Sequence, residues 1–274
     1  MERLPSLFIS HGAPTYALEP GLAGAQLNAL GRALPRPKAV LVVSPHWMTR
    51  EAQVTGAASP RTIHDFGGFD PALYDMSYPA DGHPALAARA VELLRADGWA
   101  ASVNPERGLD HGAWVPLMHL YPNHDVPVIQ ASMPLRLDPQ SAFKYGRALA
   151  QLGEEGVLVV GSGSLTHNLF EFRQASQAQA EYVRAFTAWI REAVEAGDED
   201  KLLASLEIAP HAQRAHPTSE HFLPLLVALG AAPSALPATV VPGGIVHGVL
   251  SMESYVFGAR VQLDLEREAA VHHA

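Results

Sequence analysis

The sequence has no cysteine and, among 274 residues, only three lysines: Lys38, Lys144 and Lys201. Without thiols there is no disulfide framework and no thiolate metal site, so any metal must be held by His, Asp or Glu. With so few lysines, arginines scattered among acids and a formal charge of −9, no stripe can neutralise phosphates, which argues against a nucleic-acid partner. No apolar run approaches the ~18 residues of a spanning helix, and MERLPSLFISHGAP lacks a basic segment followed by a long apolar one, so no membrane partner is expected and the cytoplasm is the expected location. Low complexity is missing too, because Gly and Pro number 22 each while 48% of residues are apolar and 17% charged. Against these shortages stands one excess, 14 histidines in an acidic chain.

Short β-branched runs recur at Leu7 to Ser10, Ala39 to Ser44, Pro127 to Ser132 and Val157 to Ser162. Helical spacing fills the gaps over Leu22 to Leu34, Ala85 to Leu94, Ser141 to Leu152, Ala178 to Ala196 and Glu220 to Leu229. Continuous apolar strands such as AVLVVS need cover on both faces. The expected fold is therefore α/β, with a central, largely parallel mixed sheet flanked by helices on both faces. No repeat or linker divides the chain, so a single domain is expected over residues 1–263, with 264–274 as a frayed tail. The stretch from Phe172 to His216 reads as an excursion from the sheet.

Several histidines follow strand ends. β-type runs lead into Ser10-His11-Gly12, into Ser44-Pro45-His46-Trp47 and into Gly163-Ser164-Leu165-Thr166-His167. Crevices of open α/β sheets form outside strand carboxyl ends, so each position is a ligand-binding edge. One such histidine is usually a satisfied loop residue; three together fit a metal, which needs neutral imidazoles from separate elements. A fourth contributor lies in His216-Pro217-Thr218-Ser219-Glu220-His221. With Thr218 as N-cap, Glu220 and His221 fall in the first helical turn about 100° apart, and only one can reach a common ion. Charge balance favours Glu220, completing a two-His, one-carboxylate set. His111, in Gly108-Leu109-Asp110-His111-Gly112, is either an acid/base group or part of a helix cap. The segment around His64, Phe66 and Phe69, with Trp47, suits a wall over an aromatic ligand or an ordinary turn.

The ordered set LFISHGAP, LPRPKAVLVVSPHW, TIHDFGGF, ALYDMSYPA, GLDHGAWVPL, GSGSLTHNL and HPTSEHFLPLLVALGA resembles, end to end, the DOPA-dioxygenase-type members of the class III extradiol ring-cleavage dioxygenases. The larger superfamily includes the protocatechuate 4,5-dioxygenase catalytic subunit. The resemblance implies a metal held by His11, His46 and His221, the last displacing Glu220 from the ligand role. It makes His167 either a fourth ligand or an acid/base group, and places His111 in the catalytic loop. The implied activity is extradiol opening of a catechol-type, DOPA-like ring by O₂ on Fe(II). An all-imidazole set suits Zn(II) as well. Two other readings are a zinc-dependent hydrolase on the same site and a non-catalytic, Memo-like binding protein.

Overall fold

Two-sided burial dictates the architecture. The computed structural model describes residues 3–172 and 181–263. Its strands are β1 (Ser6–Ser10), β2 (Ala39–Thr49), β3 (Ala52–Thr55), β4 (Ala101–Asn104), β5 (Val128–Pro134), β6 (Val157–Gly163), β7 (Ala238–Val241), β8 (Ile245–Val246), β9 (Leu250–Ser251) and β10 (Ser254–Phe257). Eight of them form one sheet in the order β4-β3-β5-β2-β6-β1-β10-β7, while β8 pairs with β9. The four inner strands β5-β2-β6-β1 are mutually parallel, and antiparallel pairing enters only where β3 meets β5 and where β10 joins β1 and β7.

Strand alternation sends successive apolar residues to opposite faces. Phe8, Leu41, Val43, Ile129 and Val159 pack with the helices Pro84–Ala96, Pro139–Leu149, Glu181–Ala196 and Leu223–Ala231. Leu7, Ile9, Val40, Val42 and Val160 pack on the other side, with the helices Gly21–Ala33 and His111–Leu120. Each fully buried aliphatic side chain contributes roughly 1.5–3 kcal/mol relative to exposure, so both layers are needed to hold the inner strands. The single α/β domain expected from the sequence is thus observed, and no helix among the described residues is long and apolar enough to cross a membrane.

Three expectations need correction. β2 does not stop at Ser44 but runs to Thr49, through a register shift against β5 between Ser44 and Met48. Thr218 does not cap a helix: the helix begins at Leu223, Pro224 falls in its first turn, and Glu220 and His221 lie in the turn before it. The sheet is also broader than the four apolar runs indicate, because β3, β4, β7 and β10 are only four residues each, too short for a periodic signal. Between Glu181 and Ala215 the chain forms four helices off the sheet before returning to His216. The expected tail, 264–274, lies outside the described residues.

Candidate metal centre

The carboxyl edge of the parallel strands gathers the histidines. Ser10 of β1 is in register with Gly163 of β6, and the His11 N–H donates to the Gly163 carbonyl at 2.8 Å, so His11 leaves the sheet from a fixed point. His46 comes from within β2, at the register shift, where irregular pairing re-aims a side chain that a straight strand would carry elsewhere. His221 comes from the turn that follows Glu220. That turn lies against β6 because β6 ends in glycine: a Cβ on Gly163 would stand 2.2 Å from the His221 carbonyl oxygen. The Ser164 N–H donates to the same oxygen at 2.9 Å.

Ligand nitrogens of His11, His46 and His221 all lie within 4.8 Å of one another. Two neighbouring groups meet the same spacing and share members with the trio: His46 with Asp65 and His111, and His221 with His167 and Glu220. The His11 and His46 rings approach through their Nε2 atoms, 3.1 Å apart. The His46 and His111 ring centres are 3.9 Å apart. His167 is brought to His221 rather than into the trio, its ring stacked on that of His221 at 3.5 Å and 9°.

Hydrogen bonds assign the tautomers. Ser162 Oγ donates to the Gly112 carbonyl, so at 2.9 Å from His11 Nδ1 it accepts, the proton sits on Nδ1, and Nε2 keeps its lone pair. Glu220 Oε1 accepts from His221 Nδ1 at 3.1 Å and from the Thr218 hydroxyl at 2.9 Å. Glu220 therefore orients His221, and His221 Nε2 is left buried without a hydrogen-bond partner. Burial holds His11 and His221 well below the usual imidazole range, with repulsion from the other histidines adding to it. Burial, then His111, brings His46 down to about 3 against the pull of Asp65, and burial brings His167 to about 4 against Glu220. Neutral imidazoles whose nitrogens converge are metal donors, and the orphaned buried His221 Nε2 is costly until something fills it. The residues present fit a metal ion.

Asp65, which the sequence reading quoted within TIHDFGGF without a role, stands between two of these rings. Its Oδ1 accepts the His111 backbone N–H at 2.9 Å and lies 3.0 Å from His111 Nδ1, while Oδ2 is 3.7 Å from His46 Nδ1. Burial pushes the Asp65 carboxyl up, but the adjacent His111, through its ring and its backbone N–H, outweighs it and holds the group at about 2; the Nδ1 contact is an ion-pair approach that is out of line for a hydrogen bond. Asp110 occupies the N-cap position of the His111–Leu120 helix yet makes no side-chain cap. Its buried carboxyl instead accepts from Ser44 Oγ at 3.1 Å and from the Gln130 amide, and burial, then Asp65, raises its pKa.

The anticipated aromatic residues divide. Phe66 meets the His111 ring edge to face at 5.6 Å and contacts Phe69 at 5.8 Å and Tyr74 at 5.3 Å, making a wall beside the imidazoles. His64 is bonded to the Met76 carbonyl at 2.9 Å and packs against Phe66 and Trp114, so it supports that wall. Trp47 is buried, with the Arg107 guanidinium 5.3 Å over its ring.

Known proteins resemble this chain over nearly its whole length. Residues 6–258 match the family described as the catalytic LigB subunit of aromatic ring-opening dioxygenase. Among similar proteins, the 4,5-DOPA dioxygenase extradiol of Escherichia coli (strain K12) is 40% identical over 265 residues, covering 93% of this chain and 95% of that one. The protein of the same description from Beta vulgaris is 40% identical over 256 residues, covering 92% and 96%. A crystal structure of an uncharacterized protein from Escherichia coli K12 superposes with a TM-score of 0.76 at 34% identity, covering 93% of this chain and all of that one.

Proposed function

Because the chain belongs to the family of the catalytic LigB subunit of aromatic ring-opening dioxygenase, we propose that its clustered imidazoles open a catechol-type ring with O₂ by extradiol cleavage. His11, His46 and His221 hold the metal, through the nitrogens that Ser162 and Glu220 leave free on two of them. The metal proposed is Fe(II), which when bound supplies the redox path between catechol and O₂ that an aromatic ring and triplet oxygen lack on their own. The substrate proposed is DOPA-like, in keeping with what the similar proteins from Escherichia coli and Beta vulgaris are named for.

The remaining work falls to the chain's own side chains. His111 and His167 flank the trio, one against His46 and the other against His221. A catechol must lose a proton on binding and regain one as the ring opens, and an imidazole can serve in both directions near neutral pH. His111, whose Nδ1 faces Asp65, takes the catechol proton on Nε2; His167, held neutral by burial, is the second acid/base group. Phe66 and Phe69 present aromatic surface to the ring and exclude water beside it.

The observation that carries this reading is the convergence of three imidazoles flanked by two that do not join them. The test is to load the protein anaerobically with Fe(II) or with Zn(II), add L-DOPA or other catechols, and admit O₂. Stoichiometric oxygen uptake with a yellow ring-opened product, in the iron form only, is expected. Zinc-dependent ester hydrolysis without that product would replace the oxygenase with a hydrolase, and ligand binding without turnover in either form would replace it with a binding protein.

A further inference from the structure

Asp65 reaches the site by tertiary contact alone. Thr62 bridges Leu109 in parallel, with Ile63 N–H donating to the Leu109 carbonyl and Leu109 N–H to the Arg61 carbonyl, each at 2.8 Å. This short ladder sets the loop beside the start of the His111–Leu120 helix. There one carboxylate oxygen receives the His111 backbone N–H and also faces His111 Nδ1, while the other turns toward His46 Nδ1. A carboxylate that served only as a helix cap would need the backbone bond and nothing else. Asp110, the residue at the cap position, has its side chain committed to Ser44 and Gln130. The Asp65 carboxylate is thus the shared neighbour of one proposed metal ligand and one proposed base.

We propose that Asp65 is a positioning residue that fixes the tautomer of His111, keeping the proton on Nδ1 so that Nε2 is the bare nitrogen offered to substrate. The inference rests on the proposed role of His111 as base. A carboxylate offers no donor, and at 3.0 Å, though out of line for a hydrogen bond, its charge favours hydrogen on the nitrogen that faces it. When a catechol O–H gives its proton to Nε2, the Nδ1 proton stays where it is, and the new imidazolium lies against the carboxylate. Only a proton moves; no bond to Asp65 forms.

The test compares wild type with Asp65→Asn and Asp65→Glu. An amide keeps the shape but can offer a donor to Nδ1, which favours the wrong tautomer. Nitrogen-15 histidine spectra of the metal-free proteins read the tautomer directly, metal analysis of the zinc-loaded proteins reads retention, and steady-state kinetics of the iron-loaded proteins separates kcat from KM. Wild type should show His111 as the Nδ1–H form. Asp65→Asn should move it toward Nε2–H, keep one metal per chain and lower kcat about 10- to 100-fold with a much smaller change in KM. Asp65→Glu should recover part of both the tautomer and kcat. A wild-type His111 found as Nε2–H overturns the proposal without any variant. Loss of metal in Asp65→Asn also overturns it, since Asp65 would then be a ligand, as does a fall in kcat with the tautomer unchanged. A wild type that opens no catechol, with the Asp65-dependent tautomer intact, refutes the dioxygenase reading and supports the Asp65–His111 link.

Discussion

Replacing Gly163 by alanine tests whether β6 seats the turn that carries His221. The new Cβ would stand 2.2 Å from the His221 carbonyl oxygen, a separation that real Cβ atoms essentially never show. The obstacle is backbone, so the turn must retreat by about 1 Å, and His221 moves with it. The retreat stretches the Ser164 N–H bond to that same oxygen, now 2.9 Å, beyond hydrogen-bond reach. Overpacking costs about 1–3 kcal/mol and the lost buried bond roughly 1 kcal/mol more. A chain of this size should then melt roughly 5–15 °C lower. A displacement of about 1 Å in one ligand should weaken metal binding and lower kcat/KM on the order of 100-fold. Thermal unfolding of the metal-free protein, metal titration and catechol turnover measure the three effects. Gly67→Ala is the control, because its Cβ would meet nothing within 4 Å. Gly163→Ala with wild-type melting and metal affinity would refute the close seating of this turn on β6.

His11→Ala, His46→Ala and His221→Ala should each lose metal retention and turnover together, whereas His111→Ala should keep the metal and slow turnover by about 10²–10⁴, as metal analysis alongside oxygen uptake will show. Ser162→Ala removes the acceptor that sets the His11 tautomer and should weaken metal binding about 10- to 100-fold, read by competition with a chelator. Acid should destabilise the metal-free protein in a defined window. Burial brings His216 to about 4 in the folded state, so below its ordinary value near 6.5 the unfolded chain binds a proton that the folded chain does not. Stability from this residue is complete above about pH 6.5 and falls by up to about 3 kcal/mol as the pH drops to about 4. Urea unfolding across that range should show the loss, and His216→Gln should reduce it by this residue's share while the shares of His11, His46, His167 and His221 remain.

The parts of the molecule that could be read from sequence are those written locally. AVLVVS and VLVVGS announce strands buried on both faces, and His11 follows its strand directly, so its place at the sheet edge was legible. His46 was legible as a site residue for a partly mistaken reason: β2 continues past it, and the register shift, not the strand's end, aims the ring. Thr218 read as a cap because threonine before an apolar run usually is one; here its hydroxyl turns to Glu220 and the helix starts later, at Leu223. The choice between Glu220 and His221 could not be made from spacing, since it depends on which oxygen the His221 Nδ1 faces. Asp65 was missed because no local pattern marks it. Its importance arises when the Thr62–Leu109 bridge carries the loop across to a helix start far along the chain.

The imidazoles and the aromatic wall are built on different foundations. His11 directly follows, and His46 lies on, a strand that is hydrogen-bonded to neighbours on both sides, so exchanging a residue beneath them disturbs the packing of the sheet. Phe66 and Phe69 ride on a loop with Gly67, where an added carbon meets empty space, and Gly68, whose positive φ favours glycine. A change of ring-facing side chain on this loop therefore costs the fold less than a change in the sheet beneath the imidazoles.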